Sequence, residues 1–184
     1  MSNLSLDEQK EFLQIACQVA RNSPDPSTQN GSILVKTIFG NTDRGFNRNP
    51  TLVASGYNTF PSGVGYGDEF PERMNRPVKY TFIEHAERNS LYDAARFGIQ
   101  TQGLIMVCPW AACSGCARAI IQCGIHEVVT LRPEAENTRW DDSIKAAMMM
   151  LSEAGVEVTY FDQQVFDEHN ETNILRRNSE VWKP

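Results

Sequence analysis

One histidine and two cysteines, each standing where a helix should begin, constrain this 184-residue chain more than any other feature. His85 precedes a segment, 86–97, whose apolar positions Ala86, Leu91, Ala94, Ala95 and Phe97 suit a buried helix ended by Gly98. Cys113 and Cys116 open a second helical segment, 113–123, with Gly124 as its stop, and their i, i+3 spacing turns both sulfurs the same way. One imidazole and two thiolates supply three ligands to a tetrahedral zinc and leave a fourth position open, whereas a closed structural site would use four. The fold must therefore bring two helix N-termini to one point. A helix N-terminus also favours thiolate over thiol. Glu87, two residues past the histidine, would lie beside the metal without ligating it and is the candidate proton carrier.

The rest of the chain supplies a scaffold for that convergence. Residues 6–21 carry a helical apolar face with Asp7 and Glu8 in the first turn. Residues 32–36 read as a short buried strand and 51–57 as its return, with 37–50, rich in Gly and Asn, as an enlarged hairpin loop. The stretch 58–84 shows no period and holds Pro61, Gly63, Gly65, Gly67, Pro71 and Pro77; it reads as a long functional loop leading to His85. Residues 103–108 form a nearly unbroken apolar run, as expected of a central strand covered on both faces. Helix 113–123, strand 127–131, helix 140–154 and strand 156–161 follow, and this alternation calls for parallel pairing with right-handed crossovers. Residues 165–177 suggest a further helix, weakened by Asn170, Thr172 and Asn173. A single domain is expected, with a core over 6–161 and a C-terminal extension over 162–184. Two helix starts at the carboxyl end of a parallel sheet make a crevice for a ligand.

Composition narrows the class of partner. A net charge of −6 disfavours a protein built to grip nucleic acid, which usually presents a basic face. No apolar run is long enough to span a bilayer, and residues 1–8 lack the features of a signal peptide, so a cytoplasmic protein is expected. Five cysteines, two of them at ligand spacing, fit a metal in a reducing compartment better than a disulfide framework. Cys17, Cys108 and Cys123 read as small buried hydrophobes, and His126 and His169 as surface or loop residues. Trp110 is equally suited to packing the cysteine loop and to contacting a base.

His-x-Glu followed by Cys-x-x-Cys is the signature of zinc nucleobase deaminases, and four stretches extend the likeness. They are Asp25-Pro-Ser-Thr-Gln-Asn-Gly31, Gly56-Tyr-Asn-Thr-Phe-Pro-Ser-Gly63, His85-Ala-Glu-Arg-Asn89 and Cys113-Ser-Gly-Cys-Ala-Arg-Ala-Ile-Ile-Gln-Cys-Gly124. With Ala154-Gly155-Val156 they span residues 6–161 in order, and the chain resembles the deoxycytidylate deaminases of the cytidine deaminase superfamily. It departs from that pattern at Ala112, where proline usually precedes the first cysteine, at Asn30 and Ser32, where small apolar residues are usual, and in the length of 37–50.

The resemblance implies an α/β fold of three layers, α/β/α, around a mixed sheet of about five strands. It implies zinc on His85, Cys113 and Cys116, catalysis by Glu87, and hydrolytic deamination of dCMP to dUMP and ammonia. By analogy the N–H of Ala86 holds the ring carbonyl, a carbonyl of the Trp110-Ala111 loop the amine, and Asn58 and Asn89 the sugar or neighbouring backbone. Ser27 and Thr28 offer hydroxyls to a phosphate, and Arg88 or Lys79 adds charge. A homo-oligomer, a hexamer by resemblance, and control by dCTP and dTTP are also expected. Two other readings stay open: a deaminase of another nucleoside, free base, RNA or single-stranded DNA, and a non-catalytic zinc-stabilised module. The intact Glu87 argues against the second of these.

Overall fold

Residues 3–42, 45–133 and 141–162 are described by the computed structural model. The first helix, α1 (Leu6–Ala20), starts at a capping box: the Glu8 N–H donates to Ser5 Oγ and the Ser5 N–H to Glu8 Oε2. Strands β1 (Gly31–Thr42) and β2 (Gly45–Tyr57) pair antiparallel. After them come α2 (Lys79–Phe82), α3 (Ala86–Arg96), β3 (Ile105–Cys108), α4 (Ser114–Gln122), β4 (Glu127–Leu131), α5 (Asp141–Glu153) and β5 (Glu157–Phe161). The sheet order is β2-β1-β3-β4-β5, with β1 antiparallel to β3 and the β3, β4, β5 half parallel.

Alternation along the strands divides the core in two. Ile33, Val35, Ile105, Val107, Val129 and Leu131 face one way and pack on Leu13 and Ala16 of α1. Leu34, Met106 and Val128 face the other way, onto Leu91 and Ala94 of α3, Ala117 and Ile120 of α4, and Ala147 and Leu151 of α5. The result is the expected three-layer arrangement around a mixed five-stranded sheet. Burying a side chain such as Leu13 contributes about 1.5–3 kcal/mol. Two glycines let strands come close to helices. A Cβ at Gly31 would stand 2.3 Å from Ala16 O of α1, and one at Gly56 would stand 2.3 Å from Ser90 N of α3.

The structure corrects two expectations. Residues 37–50 are not a loop: β1 and β2 continue as a paired arm, with Thr37 opposite Pro50 and Phe39 opposite Arg48. Single-residue preferences of Gly and Asn read as a turn, but cross-strand pairing overrides them, and Pro50 is tolerated because β2 is the edge strand. Arg48 fastens the arm to the start of α1 through Glu8, at 2.5 Å. Nor is 58–84 without elements. Its ends are bridged by Thr59 and Glu84, and it holds a 3₁₀ turn at Pro71–Met74 as well as α2. Arg73 lies between the Phe70 and Phe82 rings, 3.9 and 4.6 Å from their centroids. Four-residue turns are too short to show a period in sequence. The expected helix over 165–177, Trp140 and His169 lie outside the described residues.

Candidate metal centre and active site

His85 and Cys113 occupy the N-cap positions of α3 and α4, both in extended backbone conformation, so each ligand stands at the point where its chain turns into a helix. Cys116 follows one turn into α4 and is fully buried. His85 Nδ1 lies 3.6 Å from Cys113 Sγ and 3.5 Å from Cys116 Sγ, and the sulfurs are 3.5 Å apart. Tetrahedral zinc with ordinary bond lengths needs about 3.6 Å between nitrogen and sulfur and about 3.8 Å between sulfurs. The three ligand atoms therefore fit zinc closely, and among the described residues they form the cluster suited to a metal ion.

The electrostatics favour ligation. The contact with Cys116, aided by the His85 imidazole, pulls the Cys113 thiol down to about 3, while the same contact and burial push the Cys116 thiol up. Burial works against a charged His85, but its contact with Cys113 and the field of Glu87 outweigh this and raise it. Arg88 donates to Cys116 Sγ at 3.4 Å through Nη1 and to Glu84 Oε1 at 2.6 Å through Nε. The same Glu84 oxygen accepts the His85 N–H at 2.9 Å. Glu84 and Arg88 thus orient two ligands from outside, the kind of support metal ligands commonly have.

A cleft opens over the ligands, lined among others by Asn30, Asn58, Lys79, Glu87, Trp110 and Ala111. Glu87 is buried, and burial raises its carboxyl above the ordinary carboxylate value, with Cys113 adding to the rise and His85 opposing it. The Asn30 Nδ2 donates to Glu87 Oε2 at 3.3 Å.

The remaining residues singled out in the sequence fall into two groups. Asn58, Thr28, Lys79, Trp110 and Ala111 line the cleft. Asn58 bridges its two walls: its Nδ2 donates to Thr28 O at 3.0 Å, and its Oδ1 accepts the Ala86 N–H at 2.9 Å. That N–H, expected to hold a ring carbonyl, is engaged by Asn58 here. Trp110 uses its indole N–H on Gln29 O at 2.8 Å and packs against Cys17 and Ala20, so packing is one of its roles. Lys79 is buried and ion-paired to Asp25 at 2.6 Å. Asp25 also accepts the Ser27 and Thr28 N–H groups at 2.8 and 3.2 Å. Ser27, Arg88 and Asn89 lie outside the cleft lining, and Asn89 donates to Tyr57 O at 2.8 Å, a neighbouring backbone group.

The sequence marked Asn30 only as a departure from the family pattern and Cys108 only as a small buried hydrophobe, and it passed over Glu84 and Arg132. Arg132 lines the cleft at the end of β4 and pairs with Asp162 at 2.9 Å. A polar Asn directly ahead of an apolar strand was the one local signal available for any of them.

Comparison with known proteins agrees with this geometry. The chain is 35% identical over 154 residues to an uncharacterized deaminase in the luxG 3′ region of Aliivibrio fischeri, covering 82% of this chain and 91% of that protein. It is 29% identical to human deoxycytidylate deaminase over 154 residues, 82% of this chain and 77% of that one. A crystal structure of cyanophage S-TIM5 dCMP deaminase in complex with dCMP and dUMP shares the fold, with a TM-score of 0.61 at 24% identity over 86% of this chain and all of that one. The family model for the cytidine and deoxycytidylate deaminase zinc-binding region matches residues 6–132, a span that takes in His85, Glu87, Cys113 and Cys116, and the chain belongs to that family.

Proposed function

We propose that the protein is a zinc-dependent hydrolase that converts dCMP and water to dUMP and ammonia. The observation that carries this reading is the buried Glu87 beside a three-ligand His85, Cys113, Cys116 centre at the floor of an open cleft. Zinc held there supplies Lewis acidity, lowering the pKa of water toward neutrality. Glu87 takes a proton from the water that adds to C4 of cytosine and delivers it to N3; it then takes the second proton from the added hydroxyl and passes it to the amine, so that the C4–N4 bond breaks, ammonia leaves and a C4 carbonyl remains. Its burial suits the task, because a carboxyl raised above the ordinary carboxylate range takes up a proton more readily than a free one. A carbonyl of the Trp110-Ala111 loop is assigned to the substrate amine, and Asn58, which lines the cleft and already holds the Ala86 N–H, to the sugar.

Thr28 and Lys79, with Arg132, which also lines the cleft, are assigned to the phosphate. Asp25 is already satisfied by two backbone N–H groups besides Lys79, so the lysine can share its charge with a ligand without stranding the carboxylate. The relatives named deoxycytidylate deaminase support the nucleotide over the nucleoside. Supply of dUMP for thymidylate synthesis, a reducing cytoplasmic setting, self-association and control by dCTP or dTTP belong to the same reading.

The test compares kcat/KM for dCMP, CMP, deoxycytidine, dCTP and an oligonucleotide, with ammonia release as the readout. A phosphate contributing about 2.7 kcal/mol in the transition state makes dCMP about a hundredfold better than deoxycytidine. Equal efficiency for the two overturns the nucleotide assignment.

A further inference from the structure

We propose that Asn30 is a positioning residue for Glu87, and that Cys108 anchors the Asn30 amide in the place from which it reaches the carboxylate. This rests on the deaminase reading above. Asn30 stands just ahead of β1 and Cys108 ends β3, the neighbouring strand. Both are buried, at 5% and 1% exposure, so the pair sits out of water at the end of two neighbouring strands. The Asn30 Nδ2 lies 3.3 Å from Glu87 Oε2 and 3.3 Å from Cys108 Sγ, and Asn30 Oδ1 lies 3.4 Å from the same sulfur. The Asn30 backbone is held as well, since its carbonyl accepts the Asn58 N–H at 3.0 Å.

A buried carboxylate needs a donor. Asn30 supplies one to Oε2 and so fixes the rotation of the carboxylate, leaving Oε1 to exchange protons in the cleft. The amide could be turned over, presenting Oδ1 to Glu87, and the contact would then be repulsive. The carboxylate therefore selects Nδ2, and Cys108 anchors the amide from its other side: burial keeps its thiol protonated, and it lies within reach of both Oδ1 and Nδ2. Cys108 Sγ also stands 3.3 Å from Trp110 O, which links the pair to the loop assigned to the substrate amine. A proton carrier held this way acts on a reacting atom from a defined direction, and a displacement of about 1 Å costs on the order of a hundredfold in rate.

The experiment uses the full-length zinc-loaded protein and measures kcat and KM on the substrate the wild type turns over best. Asn30→Leu should lower kcat at least tenfold while KM stays within threefold and zinc remains at one per chain. Cys108→Val should lower kcat severalfold in the wild type and leave it unchanged in the Asn30→Leu background, because its effect runs through Asn30. Cys108→Ser, which keeps a donor and an acceptor, should restore kcat to within twofold of wild type. A loss confined to KM, no loss at all, or a Cys108→Val effect of equal size in both backgrounds overturns the proposal.

A second measurement needs no turnover. The side-chain amide resonances of Asn30, assigned by their loss in Asn30→Asp, should shift in Glu87→Gln and again in Cys108→Val. Resonances that stay put in both variants overturn the positioning role whatever the substrate. Wild-type protein that releases ammonia from no cytosine compound overturns the deaminase reading instead, and the resonances then decide the contact alone.

Discussion

Glu87 carries two demands that pull against each other. Catalysis wants a carboxyl that titrates above the ordinary carboxylate range, and burial moves Glu87 in that direction by disfavouring the charged form. The fold pays in stability: a carboxyl whose folded pKa lies above its unfolded value binds more protons folded than unfolded. Stability is therefore lost as pH rises through the window between the two values, and the deficit persists above the folded pKa. Glu87→Gln keeps the shape and removes the titration. We expect metal-free Glu87→Gln to unfold at a higher temperature than metal-free wild type at neutral pH, with the gap closing as the pH is lowered past the wild-type carboxyl, as followed by thermal melts across a pH series. The zinc-loaded variant should retain its metal and lose turnover by at least a hundredfold, measured as ammonia release, because a proton shuttle contributes typically 10²–10⁴-fold.

The helices α3 and α4 deliver their ligands correctly only if the strands beneath them lie at the right depth. Gly56 of β2 sets that depth for α3, since a Cβ there would meet Ser90 N at 2.3 Å and Asn89 C at 2.6 Å. Both are backbone atoms, so no side-chain rotation relieves the clash, and α3 must move. Gly56→Ala should destabilise the protein by about 1–3 kcal/mol, the usual cost of overpacking. It should also weaken zinc binding, because the displaced helix carries His85 away from the two sulfurs of α4. Chemical denaturation and competition with a zinc chelator read the two effects separately. A lowered midpoint with unchanged zinc affinity would show that α3 tilts about its N-terminus and leaves the ligand in place.

Zinc on His85, Cys113 and Cys116 would join the N-termini of two helices that also meet through the apolar layer and the Arg88–Cys116 contact, and so would act as a tie across the molecule. Removing it should lower the unfolding temperature, because the metal binds the folded state and has no preformed site in the unfolded chain. At free zinc a thousandfold above the dissociation constant the contribution is about 4 kcal/mol, or a shift of about 8–16 °C for a chain of this length. Calorimetry before and after chelation measures it directly, and an unchanged melt would show that the apolar layers hold the site alone. The paired arm of β1 and β2 exposes Ile38 and Phe39 at 47% and 49%, with Leu52 at 38% beside it. We expect these residues to be covered by a second copy of the chain. Sedimentation should give a mass that is a multiple of 20.7 kDa, and Phe39→Lys should reduce it.

The His85, Cys113 and Cys116 cluster, the acidic residue beside it, both helix starts and the parallel half of the sheet were legible in the amino-acid sequence because each rests on local spacing. His85 and Glu87 lie two residues apart, Cys113 and Cys116 three, and the glycines that stop the helices stand next to the residues they affect. The Ser5–Glu8 capping box was equally local and could have been read from its spacing. Pairings across the chain were not legible. Lys79 meets Asp25 across 54 residues, Asn30 meets Glu87 across 57, and Asn30 meets Cys108 across 78. Arg88 turns to Glu84 and Cys116, and Lys79 is held by a buried carboxylate. The length of the β1–β2 arm was decided in the same way, by hydrogen bonds between facing residues that no single-residue preference reports. Side-chain chemistry names what a residue can bond, but the close packing of three layers chooses its partner, because a buried polar group must find one within reach.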